Sequence, residues 1–118
     1  MHAVLLIGHG GYEALEYRTD VPVPQPKAGE VLIRVAAAGI NNTDINTRTA
    51  WYSKAVTEGS NAGGAGGFAG ADDADASWSG VPLQFPLIQG ADACGRIVAV
   101  GQGVPEARVG ERVLVRNM

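Results

Sequence analysis

The sequence predicts a mainly β fold, a small β-barrel with at most one or two short helices. Several short apolar runs are bounded by turn residues, which is the usual pattern of an all-β chain. Hydrophobic residues make up 46% and charged residues 18% of the 118 residues, so a packed core is expected. A chain of this length suits one domain.

The first strands are predicted near the N-terminus. Met1–Ile7 is apolar and is ended by glycines, and Leu15–Arg18 can pair with it as a hairpin. Val21–Pro26 contains three prolines, which forbid a central strand and favour an extended edge segment or a connection. A turn over Lys27–Glu30 then leads into Val31–Ala38. The near-continuous apolar character of that segment predicts a strand buried over most of its length.

A short helix is predicted after this strand. Gly39 ends the strand, and either Asn42 or Thr43 can cap a helix over Asp44–Thr49. Because a helix N-terminus is electrically positive, the carboxylate of Asp44 suits that position.

A tract of small residues follows. Gly59–Gly80 is mostly Gly, Ala, Ser and Asp, with Phe68 and Trp78 as its main anchors. Because such a tract buries little surface, we expect a long, mobile surface insertion at about residues 56–80. Its Gly64–Ala69 segment fits a phosphate-loop pattern, but no strand pattern precedes it and no helical pattern follows, so chance explains the match.

Two more strands are predicted near the end of the sequence. Gly95–Gly101 is one, and Arg112–Val115 is the other, after a turn over Val109–Arg112. The single cysteine, Cys94, is interpreted as a small buried hydrophobe, since no His or Lys is close to it in sequence.

Charge and hydropathy exclude several classes of function. The net charge of −3 gives no basic surface for nucleic acid or an anionic membrane. No apolar run approaches the roughly 18 residues that span a bilayer. No signal peptide is recognised, so we expect a cytoplasmic protein.

Several ordered motifs resemble the GroES-like N-terminal domain of the medium-chain dehydrogenase/reductase superfamily. After the N-terminal strand they read Pro-Lys-Ala-Gly-Glu-Val-Leu-Ile-Arg-Val, Ala-Gly-Ile-Asn-Asn-Thr-Asp, Pro-Leu-Ile-Gln-Gly-Ala-Asp-Ala-Cys-Gly-Arg-Ile-Val-Ala-Val-Gly and Val-Gly-Glu-Arg-Val. The resemblance covers the chain apart from Ser53–Gly80 and implies a GroES-like, partly open β-barrel over residues 1–118. In the family, further barrel strands and a nucleotide-binding domain follow, and this chain contains no nucleotide-binding domain.

The residues at the family's zinc positions predict no metal. Zinc-dependent members have a cysteine ligand in Gly-x-Cys-x-x-Asp and a histidine ligand in Gly-His-Glu, where this chain has Asn41 and Ala91. An amide is a poor zinc ligand, and alanine has no ligand atom. Asp92 stands where the family has a glutamate. Either an ion pair with Arg96 or a supporting role in the site would explain its carboxylate.

The zinc-free branch, which resembles quinone oxidoreductases, matches this chain at four positions: Asn41, Asp44, Arg48 and Tyr52. In that branch the asparagine and the tyrosine lie beside the nicotinamide and the substrate. The resemblance therefore implies that Asn41 and Tyr52 are catalytic and contact the cofactor. Asp44 and Arg48 would hold the segment in place. The chain departs from the branch at Asn46, where a tyrosine is common.

The chemistry agrees with these residue types. Hydride transfer to a carbonyl or enone builds negative charge on oxygen, which hydrogen-bond donors must stabilise when no metal does so. A tyrosine hydroxyl and an asparagine amide are such donors. The residues alone also allow a local structural role for each of the four. Asn41 could be a turn residue, Asp44 a helix cap and Arg48 a solvated helix charge. Tyr52 could be an aromatic side chain of a loop.

The resemblance implies the substrate-side domain of an NAD(P)H-dependent oxidoreductase that reduces quinones, enones or related carbonyls without zinc. NADPH or NADH would be bound mostly by the domain that follows in the family, the partner would be a small-molecule carbonyl substrate, and the full-length protein would be a homodimer. The chain alone is expected to be inactive. Two alternatives are a zinc-dependent alcohol dehydrogenase with altered ligands and a co-chaperonin-like binding module.

Overall fold

The structure, a computed structural model, describes residues 1–115, and strands predominate over helices in that range. It contains five β-strands, one α-helix and two short 3-10 turns. This confirms the predicted mainly β class with one short helix. The chain forms two compact units, one from Met1–Val21 and Asn41–Gln89, the other from Pro22–Ile40 and the described residues from Gly90 on.

The first unit begins with the predicted hairpin. Strand β1 (Ala3–Leu6) pairs antiparallel with β2 (Leu15–Arg18), and a 3-10 turn over Tyr12–Ala14 precedes β2. The fully buried Leu6 also exchanges backbone hydrogen bonds with Leu87 at 2.8 and 3.0 Å. The other buried apolar residues of this unit are small: Ala14, Ala50 and Ala76.

Helix α1 spans Asn42–Thr49 and begins two residues before the predicted start. Its N-cap is Asn41, which corrects the expected cap at one of the two residues that follow. The Asn41 Oδ1 atom accepts a hydrogen bond from the Thr43 backbone N–H at 2.9 Å, and the Asp44 carboxylate accepts one from the Asn41 backbone N–H at 2.9 Å. Because this reciprocal pair satisfies two helix-start donors, it decides where the helix begins.

The tract at residues 59–80 contains neither a helix nor a strand, as expected. Several contacts nevertheless attach this tract to the rest of the first unit. The Phe68 backbone N–H donates to the Thr49 carbonyl oxygen at 3.2 Å, and both Ala76 and Ser77 are buried. Backbone hydrogen bonds and small buried side chains thus attach a segment that has few large apolar groups.

The second unit contains a three-stranded antiparallel sheet in the order β3-β4-β5. These strands are Val31–Ala38, Ala93–Val100 and Arg112–Leu114, close to the predicted bounds. A Cβ atom at Gly95 would overlap the backbone carbonyl oxygen of Arg34, so glycine permits the close approach of β3 and β4.

Burial in this sheet corrects two expectations. Only the first three residues of β3 are partly buried, and Arg34–Ala38 is exposed. Side chains of a strand project above and below its sheet, so an apolar run is buried only where other segments cover those faces. Cys94 is half-buried rather than buried, while Ile97 on the same strand is the buried apolar residue of the unit.

No helix within residues 1–115 is long and apolar enough to cross a membrane. The one α-helix has eight residues, whereas a bilayer requires about 20.

Candidate functional site

The C-terminal end of α1 sets the path of the segment that contains Tyr52. Ala50 follows the helix in the left-handed conformation, with φ of 64°, and its side chain is buried. The Trp51 backbone N–H donates to the Asn46 carbonyl oxygen at 2.9 Å, which closes the helix end. The predicted site residues before and after the helix are thus joined by one hydrogen-bonded element.

Asn41 and Asp44 both form part of the helix cap. The Asn41 Oδ1 atom accepts from the backbone N–H of Thr43 and also from its hydroxyl. Asp44 is only 9% exposed, and the Asn41 N–H together with the positive helix N-terminus stabilises its carboxylate. The local roles considered from the sequence, a turn residue and a helix cap, are confirmed. The predicted site roles stay predictions.

Arg48 is 4% exposed, so the interpretation as a solvated helix charge is wrong. Its Nη1 atom donates to the Gly10 carbonyl oxygen at 2.6 Å and to that of Ala65 at 3.5 Å, and Nη2 donates to Gly64 at 3.3 Å. The guanidinium carbon lies 4.8 Å from the centre of the Tyr12 ring. One buried cation therefore connects α1, the loop after β1 and the Gly-rich tract.

A carboxylate near this cation has a lowered pKa. Backbone N–H groups lower the pKa of exposed Glu13 most, among them that of Gly11, which donates to Oε1 at 2.7 Å. The positive charge of Arg48 lowers it further. Hydrogen bonds to the charged form favour that form, so Glu13 stays ionised to lower pH than an ordinary glutamate.

The Tyr52 ring contacts two indole rings. Its centroid is 5.6 Å from that of Trp51, with an interplanar angle of 64°, and 5.4 Å from that of Trp78, with an angle of 79°. Among residues 1–115 no hydrogen bond involves the Tyr52 hydroxyl, whereas the Trp51 Nε1–H donates to the Glu58 carbonyl oxygen at 3.0 Å.

Sequence reasoning missed the contact between Trp78 and Tyr52. Trp78 was expected to anchor the tract, but its side chain is 82% exposed. The signal that could have indicated this contact was a large indole ring in a tract of mostly small residues.

Asp92 belongs to the other unit, and its backbone carbonyl oxygen accepts the Gly39 N–H at 2.8 Å. The Arg96 Nη1 atom, one candidate partner for the Asp92 carboxylate, donates to the Gly110 carbonyl oxygen at 2.8 Å. The structure thus gathers four of the predicted site residues in the first unit: Asn41, Asp44, Arg48 and Tyr52.

Potential metal ligands are not clustered in residues 1–115, where no group of three or more His, Cys, Asp or Glu side chains could hold an ion. At the family's zinc positions, the Asn41 Oδ1 atom serves the helix cap and Ala91 has no ligand atom. A cavity of about 290 Å³ in the first unit has none of the predicted site residues in its lining, which includes His9, Ala50, Phe68 and Asp73.

Comparisons with known proteins identify the family. The alcohol dehydrogenase GroES-like domain model matches residues 27–118. Quinone oxidoreductase from Homo sapiens is 32% identical over 117 residues, which are 99% of this chain and 27% of that protein. A solved protein of Sinorhizobium meliloti 1021, classed provisionally as an alcohol dehydrogenase, is 47% identical with a TM-score of 0.71, covering 97% of this chain and 28% of that one. A mycobacterial protein solved in complex with NADPH is 30% identical with a TM-score of 0.62, covering 97% and 27%.

This chain therefore spans between 27% and 28% of the length of these three relatives. One of them is a quinone oxidoreductase, in agreement with the resemblance to the zinc-free branch. The family model matches well over half of the chain and the solved relatives share its fold. The chain belongs to the alcohol dehydrogenase GroES-like domain family.

Proposed function

We propose that this chain forms the substrate-side domain of an NAD(P)H-dependent oxidoreductase that reduces quinones, enones or related carbonyls without zinc. The observation that carries the proposal is Tyr52. At the position where the zinc-free branch has a substrate-facing tyrosine, its hydroxyl makes no hydrogen bond within residues 1–115. Its ring is held between two indoles. The names of the relatives, quinone oxidoreductase and a protein complexed with NADPH, support this class of reaction.

The donor set fits a nicotinamide and a neutral carbonyl. NADPH or NADH would supply the hydride when bound, mostly through a domain outside this chain. Tyr52 would donate a hydrogen bond to the substrate oxygen as negative charge develops there, and the amide of Asn41 would contribute a second neutral donor. Because the cap engages Oδ1 of Asn41, the catalytic role would use its Nδ2–H group.

Asp44 and Arg48 would act as positioning residues. Asp44 fixes the backbone of Asn41 through the cap, and Arg48 fixes the helix against two loops. Neither side chain needs to touch the substrate for its loss to reduce activity, because small displacements of a site lower the rate.

The ligand chemistry favours this proposal over a zinc-dependent alcohol dehydrogenase. Of the two positions where zinc-dependent members have a ligand, one is Asn41, whose amide oxygen is already hydrogen-bonded in the helix cap, and the other is Ala91. A relative named quinone oxidoreductase and another solved with NADPH favour an enzyme domain over a co-chaperonin-like module. The homodimer, the role of Asp92 and the cytoplasmic location stay predictions.

The test uses the full-length protein that contains this chain and follows NADPH and NADH oxidation with quinones and enones. Removing one donor to a developing oxyanion lowers kcat by about 100-fold. We therefore expect that loss for Tyr52→Phe with unchanged thermal stability. Tyr17→Phe is the matched control, because that exposed tyrosine pairs with His2 on the β1–β2 hairpin.

A metal chelator should leave the activity unchanged. The proposal is contradicted if the wild-type protein oxidises neither cofactor with any of these acceptors, if Tyr52→Phe retains full activity, or if the chelator abolishes it.

A further inference from the structure

We propose that Trp78 is a specificity-determining residue that makes the site prefer flat, uncharged acceptors with two fused rings over small aliphatic ones. The inference rests on the proposed function, and it assigns a purpose to the Gly-rich tract. Trp78 would provide a stacking surface for the acceptor, while Tyr52 provides the hydrogen-bond donor.

The first observation is where the exposed ring lies. An isolated exposed hydrophobic side chain is ordinary, but Trp78 is 82% exposed and is also in T-shaped contact with Tyr52 at 5.4 Å. Twenty-five residues separate the two in the sequence. The tract thus folds back so that its largest side chain lies beside the proposed catalytic tyrosine.

The second observation is that the backbone around this exposed ring is well held. Ser77 is 6% exposed, and its hydroxyl donates to the Val81 carbonyl oxygen at 2.6 Å and accepts from the Val81 N–H at 3.2 Å. The Gly80 N–H donates to the Ser77 carbonyl oxygen at 2.9 Å, and Ala76 is fully buried. A closed turn therefore presents Trp78, so little backbone entropy would be lost when a ligand stacks on it.

The third observation distinguishes the two indoles that contact Tyr52. The Trp51 ring is tied by its Nε1–H to the Glu58 carbonyl oxygen, which gives it a structural contact. Trp78 meets Tyr52 at an interplanar angle of 79°, so the two rings form a corner. A planar acceptor stacked on the indole would have one edge beside the tyrosine ring. A carbonyl oxygen at that edge can accept a hydrogen bond from the Tyr52 hydroxyl.

The size and charge of this corner indicate the ligand. An indole has two fused rings, and stacking area is greatest for a ligand of matching size. The Asp72 backbone N–H donates to the Oγ atom of Ser53, the residue after Tyr52, at 2.8 Å, and the negative charge of the exposed Asp72 disfavours anionic acceptors there. Uncharged fused-ring quinones meet both conditions, whereas small uncharged enones meet only the condition on charge.

The test compares two acceptors with the full-length protein, 1,4-naphthoquinone and methyl vinyl ketone. We expect Trp78→Ala to raise KM for the quinone about five- to tenfold, the size of one aromatic contact. KM and kcat for the ketone should change less than about twofold, within the scatter of surface substitutions. Trp78→Phe should retain most of the preference for the quinone over the ketone because it keeps an aromatic face. Trp78→Leu should behave as the alanine variant does because it keeps only apolar bulk.

Val81→Ala is the matched control, since this valine directly follows the tract, is 56% exposed and has no aromatic face. Thermal melting of each variant checks that the fold is retained. If Trp78→Ala destabilises the tract, the comparison of Trp78→Phe with Trp78→Leu still tests whether an aromatic face is needed. Wild-type protein that reduces neither acceptor would contradict the proposed function. If the enzyme is active but the Trp78 variants change KM for both acceptors equally, or for neither, this inference is overturned and the proposed function is not.

Discussion

Replacing Arg48 with alanine should loosen three segments of the first unit at once. The buried guanidinium donates to carbonyl oxygens of the loop after β1 and of the Gly-rich tract, and it lies over the Tyr12 ring. The alanine variant leaves those carbonyls without a donor and removes the packing of the arginine stem.

The contact distances set the magnitude. A hydrogen bond from a charged donor is worth about 1.5–3 kcal/mol, and we assign about 2 kcal/mol to the 2.6 Å bond to Gly10. The bonds of 3.3 and 3.5 Å to Gly64 and Ala65 are weaker, about 0.5 kcal/mol each. The contact with Tyr12, which is 66% exposed, adds about 0.5 kcal/mol. We expect a loss of about 3–4 kcal/mol, a large part of the 5–15 kcal/mol that stabilises a typical domain.

Two assays measure this effect. Urea unfolding gives the change in free energy, and limited proteolysis reports whether residues 59–80 become more accessible. Arg48→Lys is the control, because an ammonium is a compact donor that cannot reach all three carbonyls and should recover about half of the loss. If Arg48→Ala costs less than about 1 kcal/mol, the size of an ordinary substitution, and the tract is cleaved no faster, the guanidinium does not hold these segments.

Two further predictions concern the helix cap and the effect of pH. Asn41→Ala should destabilise the chain by about 1 kcal/mol in urea unfolding, since it removes the N-cap acceptor. Asn41→Ser should restore most of that stability without restoring the amide donor, and equal losses in both variants would contradict the capping role. The pKa of Glu13 is lowered from its ordinary value of 4.5, so its contribution to stability is complete above that pH and is lost as the pH falls through its lower folded pKa. Urea midpoints across this acidic range should therefore fall less in Glu13→Gln than in wild type, and identical curves would refute the assignment.

Local signals predicted most of the secondary structure. The apolar run of β3 and the hairpin of β1 with β2 follow from short-range patterns, because strand formation and turn chemistry depend on neighbouring residues. The cap was predicted only approximately. The sequence analysis offered Asn42 or Thr43 as the cap, and the hydrogen bond from the Asn41 backbone N–H to the Asp44 carboxylate places the cap one residue before Asn42.

The sequence could indicate which residues belong to the candidate site, but it could not show which contacts they make. The resemblance to the zinc-free branch indicated Asn41, Asp44, Arg48 and Tyr52, all of which lie on or beside α1. Spacing could not show that Arg48 is buried, because its carbonyl partners come from two loops that are distant in sequence.

By itself, the sequence determined the strands, the helix segment and the family motifs, since each depends on residues that are near one another in the chain. Only the tertiary structure decided that the second half of β3 is exposed and that Trp78 lies beside Tyr52. Burial and ring contacts depend on which distant segments pack together. The hydrophobic effect and hydrogen bonding of the whole fold set that packing, and no local pattern contains it.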